Sequence, residues 1–195
     1  MAGLVLAAGA SSRMGRAKAL VELDGRSFVN AGIELLRAAG CELVLVVDGA
    51  HRLDPESLAG ARLVHNSRWR DGPLSTLQLG LRQALARTPE LDGLVAHHVE
   101  RPRVRAQTVR ALLEAHAREP GGLWQPTHLG RSGHPMLWPR GLFSQLLALD
   151  PARDTARVLV RGAAAGLRRK LEVDDPGVLD NIDTPAQLQR VRGEP

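Results

Sequence analysis

The chain has 195 residues, 44% hydrophobic and 24% charged, a balance that suits one globular domain and excludes disorder as the dominant state. No run approaches the roughly 20 apolar residues of a membrane-spanning helix, and Cys41, the single cysteine, excludes an internal disulfide or a cysteine zinc cluster. The net charge of +5 is no nucleic-acid footprint: apart from Arg101/Arg103/Arg105 and Arg168-Arg169 the arginines are dispersed, and aromatic residues for base stacking are scarce.

The opening Met1-Ala2-Gly3-Leu4-Val5-Leu6 lacks a basic n-region and runs into a glycine loop. No signal peptide is therefore expected, and the cytoplasm is the expected location. Residues 4–8, 42–48, 61–65 and 93–99 are short apolar runs predicted as buried strands. Helical periodicity between them predicts helices over 27–39, 76–87 and 106–117, with Gly40 closing the first in a left-handed C-cap. Strands alternating with helices specify crossover units and a mainly parallel sheet, and strands apolar throughout specify helical cover on both faces. Cys41, beside the second strand, reads as a small apolar core residue.

The last third changes character. Residues 123–127 and 134–138 flank Gly130-Arg131-Ser132-Gly133, predicting two strands joined by a glycine-rich turn. Helices near 142–149 and 155–165 follow, then a strand at 170–173 and a final helix from Thr184. Pro185 suits that helix's first turn, with Asp183 or Thr184 as its cap. No internal repeat or long linker interrupts the chain, so a single domain over 1–195 is expected.

The most informative segment is Leu6-Ala7-Ala8-Gly9-Ala10-Ser11-Ser12-Arg13-Met14-Gly15-Arg16-Ala17-Lys18. It fits neither the dinucleotide fingerprint nor the P-loop, yet its chemistry is that of an anion cradle. Gly9 and Gly15 let backbone N–H groups approach a ligand. Ser11 and Ser12 add hydroxyls, Arg13 a planar fork and Lys18 a compact charge. Lys18 is one of only two lysines in an arginine-rich chain, which points to a need for an ammonium there. The loop leaves the carboxyl end of a strand, where ligands bind in open α/β sheets.

The string L-A-A-G-x-S-S-R-M-G-x-x-K resembles that of the MobA-like nucleotidyltransferases, and within them is most similar to the molybdenum cofactor cytidylyltransferases. The resemblance extends over nearly the whole chain. Asn66-Ser67-Arg68-Trp69-Arg70-Asp71-Gly72 through Ser75-Thr76-Leu77 and Gly80-Leu81 matches the family's base-recognition segment, and Gly133-His134-Pro135 its G-H-P strand. Asp174-Asp175-Pro176-Gly177 and Asn181-Ile182-Asp183-Thr184-Pro185 match its C-terminal signature. The resemblance implies a Rossmann-like three-layer α/β/α nucleotidyltransferase fold with a mainly parallel mixed sheet. It also implies transfer of a nucleoside monophosphate from an NTP to a phosphorylated acceptor with release of pyrophosphate.

Carried over, the backbone of Leu6, Ala7, Ala8, Gly9, Ala10, Ser11, Ser12 and Gly15 would hold the triphosphate, with Arg13 and Lys18 as catalytic cations. Ser75 and Thr76 would contact the base, although either could equally cap the following helix. A divalent ion, Mg²⁺ with Mn²⁺ as alternative, would be held by a carboxylate after the fourth strand, where the family has aspartate and this chain has Glu100 in His97-His98-Val99-Glu100-Arg101-Pro102. The other reading of Glu100 is an ion-paired loop residue held by Arg101 or Arg103. The second metal ligand would be Asp180 or Asn181, and Asp183 reads as the cap of the last helix. His97 and His98 lie on opposite faces of their strand and cannot share one metal. His134 would contact the acceptor's phosphate or be an ordinary hydrogen-bonded histidine.

The two Ser residues after Ala10 and the Ser-Thr-Leu segment favour CTP, while Gly72-Pro73-Leu74 keeps GTP open, with molybdopterin the expected acceptor and neither nucleic acid nor membrane a partner. The alternative is a nucleotide- or partner-binding protein of the same fold with weak or absent turnover, for which the altered Glu100 loop speaks.

Overall fold

Alternation along the central strands sorts the apolar residues into two layers, and the rest of the architecture follows from that sorting. The computed structural model describes residues 1–162 and 165–193. In chain order its elements are β1 (Ala2–Leu6), a small hairpin β2 (Glu22–Leu23) and β3 (Arg26–Ser27), α1 (Phe28–Ala38), β4 (Leu43–Asp48), β5 (Arg62–His65), α2 (Pro73–Arg87) and β6 (Gly93–His98). Then come α3 (Ala106–Arg118), β7 (Leu123–His128), β8 (Arg131–Ser132), β9 (Met136–Pro139), α4 (Phe143–Ala148), α5 (Ala156–Arg161), β10 (Arg168–Glu172) and α6 (Pro185–Arg192).

The main sheet runs β10-β7-β9-β6-β1-β4-β5, with β8 added on β7. β1 lies parallel between β4 and β6, with Leu6 level with both Val47 and His98. β5 is parallel to β4 and β10 to β7, whereas β9 runs antiparallel to β6 and β7. The sheet is thus mixed and mainly parallel, as expected. Val5, Val46 and Val95 face one apolar layer with Phe28 and Ile33 of α1 and Leu112 of α3. Leu4, Leu45 and Leu94 face the other, with Leu77 and Leu81 of α2, Leu146 of α4 and Leu159 of α5.

Several boundaries differ from the sequence expectation for identifiable reasons. α1 begins one residue late because Ser27 is its N-cap, accepting from the Asn30 N–H at 3.3 Å. Gly40 takes the left-handed conformation expected of it, at φ +105°. α2 begins at Pro73, three residues before the predicted start, because Gly72 at φ +96° turns the chain and the proline ring is pre-set for the first helical turn. The predicted turn at 130–133 is tighter than expected: β7 and β8 form a hairpin turning at Leu129 and Gly130 (φ +50° and +73°) before the chain continues to β9. The predicted helix over 155–165 is α5 to Arg161, and its positions 163–164 lie outside the described residues. Cys41 is buried, and that burial pushes its thiol up to about 11, in keeping with an inert core residue. Among the described residues no helix is long and apolar enough to cross a membrane.

Candidate functional site

The carboxyl ends of β1, β4 and β6 lie side by side, and the chain leaving β1 must turn over them. Backbone bonds fix its path: Ala7 N–H donates to Val47 C=O at 2.9 Å and Ala50 N–H to Ala8 C=O at 3.0 Å. Gly49 follows β4 where no side chain fits, since a Cβ there would lie 2.6 Å from Trp69 Cβ and 2.8 Å from the Ala8 carbonyl oxygen. The following turn is closed by Met14 and Gly15 N–H groups on the Ser11 carbonyl, at 2.9 and 3.2 Å, with Ser11 at φ +55°. Met14 is buried in the core and anchors the loop. Ser11 Oγ donates to the Gly9 carbonyl at 3.4 Å and accepts the Lys18 backbone N–H at 3.0 Å. That bond sets where the Lys18 side chain leaves the loop.

The result is a cleft of about 680 Å³. Of the positions picked out from sequence, Leu6, Ala8, Gly9, Ala10, Arg13, Lys18, Thr76, Glu100 and Asn181 line it. Ala7 packs instead into the α1 layer, Ser12 and Gly15 are exposed on the outer turn, Ser75 and His134 stand behind the walls, and Asp180 lies outside the lining. Ser75 and Thr76 do not cap α2, whose N-cap is Gly72. Both are buried, and Asn66 Nδ2 donates to Ser75 Oγ at 2.9 Å and to Thr76 Oγ1 at 3.1 Å. Ser75 Oγ in turn donates to Gly72 C=O at 2.8 Å, so this network braces the start of α2 behind Thr76.

Six further lining positions were not among the predicted site residues: Trp69, Arg70, Gly72 and Pro73, which lie in the segment read as base-recognition, and His98 and Asp183. Trp69 and Arg70 form one short turn in which the guanidinium stacks 4.4 Å from the indole centre. His98 lies on the cleft face of β6, as strand alternation allows, while His97 points under α1, where a Cβ on Gly32 would lie 3.0 Å from its Cδ2. Asp183 is not the helix cap. Thr184 caps α6 in a box with Gln187, leaving the Asp183 carboxylate, 6% exposed, to pair with Lys18 Nζ and with Arg13 at 3.0 Å. Asn181 Nδ2 donates to the same carboxylate.

Glu100 lines the same cleft as Lys18, and its carboxylate lies 3.5 Å from His98 Nδ1. Burial acts to raise its pKa most strongly. The hydrogen bond and charge of His98, with the charge of Lys18, overcome it and hold the carboxyl down at about 2. The expected competition from Arg101 and Arg103 is directed elsewhere. Arg101 donates to Val178 C=O at 2.6 Å and Asp180 C=O at 3.3 Å, and Arg103 pairs with the Asp180 carboxylate at 3.1 Å. Asp180 is thereby held at the outer edge, and Asn181 is the member of that pair in the cleft. His134 packs edge-on against His98, ring centres 4.6 Å apart. Burial, then the charges of His98 and Arg101, push it down to about 2, so it is a neutral imidazole behind the wall.

The oxygen-bearing side chains that line the cleft include Glu100, Asn181 and Asp183. Among the described residues no group of three or more His, Cys, Asp or Glu forms a closed metal cage. That donor set suits Mg²⁺ or Mn²⁺, because such ions bind through one or two protein oxygens and complete their shell with phosphates and water.

Residues 3–170 match the MobA-like NTP transferase domain. The chain is 31% identical over 198 residues to a molybdenum cofactor guanylyltransferase from Rhizobium meliloti (strain 1021), covering 96% of this chain and 88% of that one. It is 30% identical over 200 residues to nicotine blue oxidoreductase from Paenarthrobacter nicotinovorans, covering 97% and 95%. Among solved structures it resembles Rv0371c from Mycobacterium tuberculosis H37Rv with a TM-score of 0.75 and 25% identity, covering 100% and 99% of the two chains. The same mycobacterial protein is also known in complex with manganese, at a TM-score of 0.69 and 24% identity over 98% and 97%.

Proposed function

The chain belongs to the MobA-like NTP transferase family, and on that premise we propose that it transfers a nucleoside monophosphate from an NTP to a phosphorylated acceptor, with CTP the favoured donor, GTP the competing one and molybdopterin the first candidate acceptor. One relative is named a guanylyltransferase and another an oxidoreductase, so the fold alone does not choose the chemistry. The observation that carries the reading is local: Lys18, Arg13, Glu100 and Asn181 face one cleft at the carboxyl ends of the central strands.

The phosphate tail would lie along the backbone of 8–10, with Arg13 as an outer clamp. Lys18, positioned by the Ser11 bond, neutralises charge that builds on the α-phosphate and the leaving pyrophosphate. The acceptor's phosphate oxygen attacks the α-phosphorus, the bond to the β-phosphate oxygen breaks, and pyrophosphate departs with both electrons of that bond. No protein nucleophile is needed, and the acceleration comes from placement and electrostatic stabilisation. The base would rest towards Trp69, Pro73 and Thr76. Glu100 and Asn181 would hold the divalent ion, which supplies Lewis-acid polarisation of phosphate oxygens when bound. His98, which lines the cleft where His134 does not, would present the imidazole to the acceptor.

A pyrophosphate-release assay with each NTP, Mg²⁺ or Mn²⁺, and molybdopterin tests the reading. Release dependent on molybdopterin and strongest with CTP is the expected result, and preference for GTP would reassign the donor. Nucleotide binding with no release under any combination would assign binding without turnover.

A further inference from the structure

Between β10 and α6 the chain runs to the cleft as a strap, residues 174–183, whose one regular piece is a tight turn at Pro176–Val178. The strap belongs to no strand, so its carbonyls need side chains or loop amides as partners. The loop after β6 supplies them, through the three clustered arginines that stand out in the sequence. Arg101, half-buried, donates from Nη1 to the Val178 carbonyl at 2.6 Å and the Asp180 carbonyl at 3.3 Å. Arg103 pairs with the Asp180 carboxylate at 3.1 Å, and Arg105 donates from Nη1 to the Asp174 carbonyl at 2.8 Å. The Arg105 backbone N–H adds a bond to the Asp175 carboxylate at 2.8 Å. Strap and loop also meet through their main chains, since any Cβ on Gly177 would collide with the Arg103 carbonyl.

Asn181 is held on both sides. The carbonyl before it, of Asp180, accepts from Arg101, and the N–H after it, of Ile182, donates to the Glu100 carbonyl at 2.9 Å. The loop that presents the Glu100 carboxylate to the cleft therefore grips the main chain around Asn181. An arginine suits this task because one Nη carries two N–H donors, one for each carbonyl. We infer that Arg101 is a positioning residue for the divalent ion: together with the Glu100 carbonyl it brackets Asn181 and fixes the spacing of the oxygen donors across the cleft. This rests on the metal-dependent nucleotidyltransfer reading of the site. Arg101 does not line the cleft. Its charge opposes a nearby cation, so only its hold on the strap favours the ion.

The test titrates Mn²⁺ into the full chain and its Arg101→Met variant with a non-hydrolysable NTP, followed by electron paramagnetic resonance. Loss of the hold should raise the Mn²⁺ concentration for half-maximal binding on the order of tenfold, as when a partner that orients a metal ligand is removed. Loss of the charge alone would lower it, so the sign separates the two roles. Arg101→Gln keeps an amide donor without the charge and should weaken binding less; it also carries the comparison if Arg101→Met does not fold, which thermal unfolding checks. Arg103→Gln, which cuts a half-exposed ion pair, should cost clearly less than Arg101→Met. In the metal-free chain, the Ile182 amide should exchange with solvent on the order of tenfold faster in Arg101→Met, while amides of β1 and β4 keep their rates. Unchanged or tighter Mn²⁺ binding by both Arg101 variants would overturn the inference, as would an equal loss in Arg103→Gln. If the wild type binds Mn²⁺ with the NTP and the Arg101 variants match it, only this inference falls. If the wild type binds neither, the nucleotide reading falls and takes the inference with it.

Discussion

His97 makes the fold acid-sensitive in a way that can be isolated by one substitution. It sits fully buried at the end of β6, and neither ring nitrogen has a hydrogen-bond partner. Burial, chiefly, and then the charge of His98 push its pKa from 6.5 to about 3. A depressed base is neutral in the folded chain and protonated in the unfolded one between those values. Its contribution is therefore fully present above pH 6.5 and is lost as pH falls towards 3. At pH 5 the unfolded state gains about 2 kcal/mol from protonating this one ring, by linkage over the interval between 6.5 and 5. His97→Leu abolishes that term. It also removes two unsatisfied nitrogens, worth about 1–3 kcal/mol each, against a repacking penalty of up to ~1.5 kcal/mol. Repacking does not depend on pH, so the informative quantity is a difference of differences. Urea unfolding at pH 7.5 and pH 5 should show the variant losing about 2 kcal/mol less than the wild type over that interval. His97 is the smallest of the influences that lower His134, so the contribution of that ring is nearly common to both proteins and largely cancels. Equal losses would show that His97 is solvated or paired in solution, and the buried-ring argument would be refuted.

Lys18→Met should reduce turnover by roughly 10²–10³, the range for removing one charge-stabilising donor, with a smaller change in KM; a loss under tenfold in steady-state pyrophosphate release would take Lys18 away from the reacting phosphates. Glu100→Gln should raise the Mn²⁺ concentration for half-maximal binding by on the order of tenfold or more, read by electron paramagnetic resonance of Mn²⁺ with a non-hydrolysable NTP, and an unchanged curve would leave Glu100 as a loop ion pair only. Gly49→Ala drives a methyl into Trp69 and the Ala8 carbonyl, and should lose about 1–3 kcal/mol in urea unfolding while weakening nucleotide binding; a stable variant with unaltered affinity would mean that Gly49 does not hold the loop against Trp69.

Much of the fold was legible because its signals are local. Short apolar runs gave the central strands to within a few residues, and Gly40 marked the end of α1 because only a residue tolerant of positive φ suits that cap. The opening loop announced itself through glycine, serine and cation chemistry within thirteen residues. The start of α2 was missed because Thr76 looked like a cap, whereas Gly72 and Pro73 define the turn three residues earlier. Strand alternation separated His97 from His98 in advance, but not which of the two would face a ligand. That depended on α1 lying against the His97 face, a packing fact.

The misassigned residue, Asp183, shows where local reading runs out. Asp183 and Thr184 satisfy the same capping rule, and nothing within a helical turn distinguishes them until Gln187 reaches back to the Thr184 N–H at 3.0 Å. What then decides the role of Asp183 is Lys18, 165 residues away in sequence. The same holds at Asp180 and Asn181: Arg103, 77 residues earlier, draws Asp180 to the rim and leaves Asn181 in the cleft. In each case a carboxylate's role follows from which distant cation reaches it. Local chemistry proposes the donors and acceptors of such a site, and the sheet topology, by bringing the ends of β1 and β6 beside the segment that precedes α6, selects among them. A substitution that alters this topology without touching the cleft should therefore disturb the Lys18–Asp183 pair before it disturbs the glycine turn, because the turn closes within four residues and the pair spans nearly the whole chain.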